Sequence, residues 1–367
     1  MTTESGRATS RTEGVRSKDK LLFTPGPLTT SDTVKAAMLR DLGSRDGEFI
    51  AVVAEIRRML LQLAGQSTDA RYSAIPLQGS GTFGIEAVLS SCVSPTGKVL
   101  FIVNGAYGRR MVQMAEVLAI DHAVLHVPEN RVPDPAEVDE ALQRDPGLAM
   151  VALVHCETTT GIMNPVTSIG ELARRHGKQF FVDAMSSFGA VPLDVEAAGV
   201  TYLVSSANKC IEGVPGFSFV IADKEALLGT DSYARSLSFD LLAQYRGLET
   251  SGQFRFTPPV QAMLAFHQAL LELAEEGGVE GRGRRYRENH RTVVDGMRRL
   301  GFEPYLEALV QGPIITTFRY PEHPEFDFDL FYEKLNRQGF VIYPGKLTDA
   351  DCFRIGNIGR LYPSDMK

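Results

Sequence analysis

One lysine and one aspartate stand out in this sequence by their surroundings. Lys209 lies in VSSANKCIEGVPGFSFV (204–220), between an apolar run and a Gly/Pro loop, with no charged neighbour within two residues. An amine among small neutral residues at a strand end can be partly desolvated, which lowers an ammonium pKa toward the range where the free amine attacks a carbonyl. The same context fits a loop lysine with no role. Asp183 closes the apolar run of FFVDAMSSFGA (180–190). A buried carboxylate needs a strong partner. A protonated pyridine nitrogen would be one, because the carboxylate keeps the ring cationic and electron-withdrawing; capping of the following helix is the other reading. The third feature is LQGSGTFGIEAVLSS (77–91), a glycine-rich turn opening a helix. Backbone N–H groups and hydroxyls of Ser80, Gly81 and Thr82 would make a phosphate site there. The turn lacks both the GK[ST] ending of a nucleotide P-loop and the GxGxxG spacing of a dinucleotide fold.

The elements that must position these residues alternate along the chain. KVLFIVNG (98–105), AMVALVHCE (149–157), KQFFVDA (178–184), TYLVSS (201–206) and FSFVIA (217–222) read as strands, each stopping at a Gly, Asn, Asp or Ser cluster. Stretches of helical period, such as SIGELARRHG (168–177), separate the middle ones. Runs that are apolar throughout indicate strands buried on both faces of a mainly parallel, mixed sheet between helices, with ligands at the carboxyl ends of the strands. After residue 259 come a long helical region (260–278), a charged stretch (281–301), strand-like IITTFRY (314–320), the helix FDLFYEKLNRQG (328–339) and GFVIYPG (339–345). This predicts an α/β fold with a large domain over 21–275 and a smaller C-terminal α/β domain over 276–367. The basic run from Arg282 to Arg299 is interleaved with acids and reads as a solvated helix face.

Composition narrows the classes. A net charge of −7 and no clustered basic face argue against nucleic-acid binding. Cys92, Cys156, Cys210 and Cys352 are scattered, so neither a disulfide framework nor a zinc knuckle is indicated, and the histidines lack ligand spacing for a metal. With no secretory signal and no run of ~20 apolar residues, a cytoplasmic location is expected. Residues 1–20 are polar and read as a disordered tail. His155 and Cys156 could suggest a nucleophilic pair, but adjacent strand residues face opposite ways.

LQGSGTF, NGAYG, HCETTTGIMNP, VDAMSSFGA, SSANKCIEGVPGF, RFTPP, GFVIYPGK and CFRIGNIG occur in that order. With them the chain, from residue 21 to 359, resembles the fold-type I pyridoxal-phosphate aminotransferases of the alanine–glyoxylate branch. The resemblance implies pyridoxal 5'-phosphate held as an aldimine of Lys209, with Asp183 on the pyridine nitrogen and Tyr107 stacked on the ring. It implies Ser80, Gly81, Thr82 and Ser206 on the phosphate, Thr257 reaching in from the second subunit of a homodimer, and Thr158 on the ring-hydroxyl side. Arg354 would bind the acidic group of each substrate. The implied reaction moves the amino group of 2-aminoethylphosphonate to pyruvate, with an alanine–glyoxylate or serine–pyruvate exchange as the alternative. Position 254 is Phe where relatives can offer a Tyr hydroxyl, and Arg45 falls in a variable stretch as an open substrate contact. The sequence runs out at YPSDMK (362–367), where such enzymes continue into a last helix. Two rivals remain on this fold: a lyase or desulfurase using Cys352, and a non-catalytic binding module.

Overall fold

The computed structural model describes residues 19–66, 71–347 and 350–367. Residues 1–18, most of the expected polar tail, lie outside the described residues. The central sheet has seven strands in the order Tyr72–Gln78, Phe217–Asp223, Tyr202–Ser206, Gln179–Asp183, Leu148–Val154, Lys98–Val103, Asp121–His126. Neighbours from Tyr202–Ser206 outward to Asp121–His126 pair parallel, while Phe217–Asp223 is antiparallel to both of its neighbours. Only that one strand is reversed. The carboxyl ends of the other strands therefore lie along a single edge, and all but the edge strand Asp121–His126 run into one of the motifs singled out above.

The expectation of strands buried on both faces holds where it matters. Phe180, Phe181, Val182, Leu203 and Val204 are fully buried, and at roughly 1.5–3 kcal/mol per large apolar side chain they anchor the strands that end in Asp183 and Ser206. Two strands carried no clear signal in the sequence. Tyr72–Gln78 contains Pro76, which cannot donate to a ladder; it is tolerated because this strand is an edge of the sheet. Asp121–His126 forms the opposite edge and is only half-buried, so it lacks the continuous apolar run of the interior strands.

A second sheet, Ile315–Arg319, Cys352–Gly356 and Tyr343–Pro344, is antiparallel with Cys352–Gly356 in the centre. Phe353 and Ile355 point into an apolar cluster with Phe318, Val293, Ile342 and Leu361. By the alternation of a strand, Arg354 faces the other way, toward the large sheet. Leu21–Leu22 adds a short parallel pairing with Phe340–Val341, and Phe23 joins the same cluster.

The basic run is a correction to the sequence reading. Arg284, Arg287, Arg291, Arg298 and Arg299 on the helix Gly278–Arg299 are exposed as expected. Arg282 and Arg285 are not: Arg282 is 0% exposed and Arg285 7%. They pair with two carboxylates, Arg282 Nε with Glu276 at 2.6 Å and Arg285 with Glu276 at 2.6 Å and Glu212 at 2.7 Å. Both partners lie outside the helix, Glu276 just before its start and Glu212 far away in sequence, so a helix-face reading could not reveal them.

Candidate active site

Each predicted site residue sits at a position its element dictates. Gln78 ends its strand, Gly79 takes φ +103°, and Ser80 becomes the N-cap of the helix Gly81–Cys92 without a side-chain cap bond. Phe83 N–H already donates to the Ser80 carbonyl, which leaves the N–H groups of Gly81 and Thr82 and the Ser80 hydroxyl as the donors at this helix start. Gly81 lets the turn approach closely: a Cβ would come within 2.1 Å of Met185 Sδ, and the methionine end would have to shift. The turn is thereby pressed against the segment that follows Asp183.

Asp183 is 2% exposed, and its hydrogen bond comes from the backbone N–H of Met185 at 2.9 Å. No ion pair satisfies it among the described residues. Burial raises its carboxyl to about 7, with the nearby Glu157 adding to the rise. Lys209 lies beyond the neighbouring strand, half-buried, and donates to the Pro25 carbonyl at 2.7 Å. Its ammonium pKa is lowered, chiefly by burial. Gly26, at φ +120°, permits this contact, since a Cβ would stand 2.6 Å from Lys209 Nζ. Ser206 is buried, and its hydroxyl donates to Asn208 Oδ1 at 3.1 Å.

Tyr107 is placed by a residue that the sequence reading passed over. Glu157, fully buried, accepts from the backbone N–H groups of Tyr107 and Gly108 at 3.2 and 3.1 Å and from the Thr159 hydroxyl at 2.6 Å. A carboxylate on the N-terminus of the helix Ala106–Val117 is favoured by the helix dipole and fixes where the Tyr107 ring starts. Its signal lay in ETTTG, an acid at a strand end facing a helix without a capping side chain of its own. The Tyr107 hydroxyl accepts from Lys346 Nζ at 3.4 Å and lies in the field of Thr158, Lys209 and Arg354. Burial alone would raise its pKa, but Thr158 and the cations Lys346, Lys209 and Arg354 outweigh that and lower it.

Arg354, 2% exposed, donates from Nε to the Pro344 carbonyl at 3.0 Å and from Nη1 to the Thr158 carbonyl at 2.9 Å. It too lacks a carboxylate partner among the described residues. Burial lowers its pKa, so an incoming anion would relieve a cost already present.

The Lys209 turn is also fastened from behind. Glu212, at φ +67°, donates its N–H to the Lys209 carbonyl at 2.7 Å. Its carboxylate is bound by Arg285 and by the Tyr286 hydroxyl at 2.6 Å, while Arg282 Nη1 donates to the Cys210 carbonyl at 2.5 Å. Tyr286 accepts from Gly359 N–H at 3.1 Å, just beyond the Arg354 strand. Removing one member of such a buried charge network costs about 3–5 kcal/mol.

Lys209, Asp183, Tyr107, Thr158, Ser206 and Arg354 thus converge at one end of the sheet, next to Ser80–Thr82. Thr257 and Arg45 line a cleft of their own, about 320 Å³, with Ser44 and Gln253–Pro258. That loop is tied to the phosphate-type turn by Gln78 Nε2, which donates to the carbonyls of Phe256 and Thr257 at 2.9 and 3.1 Å. Phe254 packs against the main core. His155 pairs with Ser187 at 2.9 Å and is held near pKa 4 by burial, while Cys156 packs in a separate apolar cluster, so the two do not act together. Cys352 is buried within its strand, a poor place for a mobile nucleophile.

The aminotransferase class-V family profile matches residues 28–345. The chain belongs to the class-V aminotransferases. It is 52% identical over 352 residues to the 2-aminoethylphosphonate–pyruvate transaminase of Klebsiella pneumoniae subsp. pneumoniae, covering 95% of each chain. It is 51% identical, over the same share of each chain, to the enzyme of that name from Salmonella typhimurium. Among solved structures, alanine–glyoxylate aminotransferase from Nostoc sp. superposes with a TM-score of 0.86 at 26% identity, over 97% of this chain and 93% of that one. This class-V aminotransferase uses the cofactor of its family, pyridoxal phosphate. The residues present fit that group: a buried carboxylate without an ion-pair partner among the described residues, a desolvated lysine, and the N-terminal donors of a helix lie together. Among the described residues, no helix is long and apolar enough to cross a membrane.

Proposed function

We propose that this chain moves the amino group of 2-aminoethylphosphonate to pyruvate, giving phosphonoacetaldehyde and L-alanine. The observation that carries the reading is Arg354, a buried guanidinium that has no carboxylate partner among the described residues and is held by the Thr158 carbonyl at the same end of the sheet as Lys209. A fork of donors suits phosphonate and carboxylate alike, as two half-reactions with different acids require. The name shared by relatives at 51–52% identity supplies the donor and the acceptor.

Pyridoxal phosphate, when bound, supplies the carbonyl that takes the amino group and the ring that absorbs the electrons of the broken C–H bond. Asp183 would hold a proton on the ring nitrogen and gain a cationic partner. Ser80, Gly81, Thr82 and Ser206 would bind the phosphate, and Tyr107 would cover the ring with Thr158 at its hydroxyl side. Lys209 Nζ, whose ammonium pKa burial lowers, would take the proton from the amine-bearing carbon and return it on the far side of the transfer. Arg354 orients each substrate by its acidic group. The large unit, 21–275, carries the cofactor end and the smaller unit, 276–367, carries Arg354.

With pyruvate as acceptor, 2-aminoethylphosphonate should exceed β-alanine and taurine by at least ~100-fold in kcat/KM, about 2.7 kcal/mol of discrimination. The phosphonate has more charge than either analogue, and a site built for it leaves donors unpaired with them. Comparable rates for the three donors would remove the phosphonate from this reading.

The active enzyme is a homodimer with Thr257 completing its partner's phosphate site. Phe256 and Phe83 are 46% and 47% exposed and flank the Ser80–Thr82 turn, an apolar patch suited to a subunit interface. Sedimentation at assay concentration should give a dimer. An active monomer would contradict the shared site. A cytoplasmic location fits the scattered cysteines, and fractionation of the source cells checks it.

A further inference from the structure

A phosphonate can carry two negative charges over three oxygens, whereas Arg354 supplies one positive charge and a two-pronged fork. We propose that Lys346 is the second cation of the acidic-group subsite and sets the preference for a dianionic tetrahedral group over a singly charged one. The proposal rests on the donor assigned above. Lys346 leaves the same small sheet as Arg354, in the connection between Tyr343–Pro344 and Cys352–Gly356. Its Nζ donates to the Tyr107 hydroxyl at 3.4 Å and stands 5.1 Å from the centre of that ring. Arg354 Nε is held by the Pro344 carbonyl at 3.0 Å, two residues before Lys346, and both cations act on the Tyr107 hydroxyl. A tetrahedral XO3 group can present different oxygens to the two cations.

Lys346 has no carboxylate partner among the described residues and is exposed, so its long stem is free to swing from Tyr107 to a ligand oxygen. Arg354 is not free: carbonyls of Pro344 and Thr158 hold it. One fixed fork and one mobile point charge divide the work. The fork takes any acidic group, and the lysine adds attraction in proportion to the second charge. The competing role is cover for Tyr107 through its ring face, which would affect every ligand alike.

The test uses holoenzyme and unreactive analogues that lack the amine: 2-hydroxyethylphosphonate, 2-hydroxyethylsulfonate and 3-hydroxypropanoate. Inhibition constants are measured against the amine donor and dissociation constants by calorimetry. Lys346→Met should weaken the phosphonate roughly 10-fold or more, about 1.4 kcal/mol, and the sulfonate and carboxylate by less than ~3-fold. Lys346→Arg should restore most of the phosphonate preference. Arg354→Lys should weaken all three. An equal loss for all three ligands in Lys346→Met, or no loss for the phosphonate, overturns the proposal while leaving the donor assignment standing. Wild-type enzyme that neither binds the phosphonate analogue nor turns over 2-aminoethylphosphonate overturns both.

Discussion

Lys209→Ala should lower turnover by at least ~1,000-fold, about 4 kcal/mol in barrier, and abolish the visible absorbance of the lysine-bound cofactor. Among the described residues its amine is the one with a pKa lowered by burial, and Asp183 and Tyr107 surround it. Among the described residues its one side-chain hydrogen bond runs to the Pro25 carbonyl, so its loss costs folding only ~1 kcal/mol. Activity and stability should therefore separate. Alanine fills none of the lysine's roles, and the turn itself stays fastened by Glu212 and Arg282. A variant that kept near wild-type turnover would return Lys209 to an ordinary loop lysine.

Asp183→Asn should cost at least ~100-fold in turnover, about 2.7 kcal/mol, yet leave the cofactor-free protein no less stable at pH 8. Burial raises this carboxyl from 3.8 to about 7. Across that window the folded chain holds a proton that the unfolded chain releases, so the group's stabilising contribution is present below pH 3.8 and is lost as pH rises through about 7. Asparagine removes the charge and can still accept from Met185 N–H. Thermal melts of cofactor-free wild type and variant at pH 4 and pH 8 read the difference. A turnover loss under tenfold, with lower stability at pH 8, would make Asp183 a turn cap and nothing more.

The same two residues show how far the sequence could be read. Lys209 and Asp183 were legible because Asp183 closes one apolar strand and Lys209 follows just after another, and strand ends gather on one edge of a parallel sheet whatever the details of packing. The motif order then pointed to the family, and with it to Tyr107, Thr158 and Arg354. What stayed hidden involves partners far apart in sequence. Glu157 reaches back 50 residues to the helix of Tyr107. Arg282 and Arg285 looked solvated because the helix shows an interleaved charge pattern; only the fold brings Glu212 to them. Lys346 resembled any loop lysine until its sheet placed it over the Tyr107 ring. The Tyr72–Gln78 strand was obscured by Pro76, which an edge position excuses.

The central claim is that this arrangement serves 2-aminoethylphosphonate and pyruvate rather than a plain amino acid and glyoxylate. Purified holoenzyme given each pair in parallel, with phosphonate consumption followed by phosphorus NMR and keto and amino products by chromatography, tests it most directly. The account predicts faster turnover of 2-aminoethylphosphonate with pyruvate, yielding phosphonoacetaldehyde and L-alanine in equal amounts. Faster turnover of alanine with glyoxylate would contradict it and place the chain with the alanine–glyoxylate enzymes.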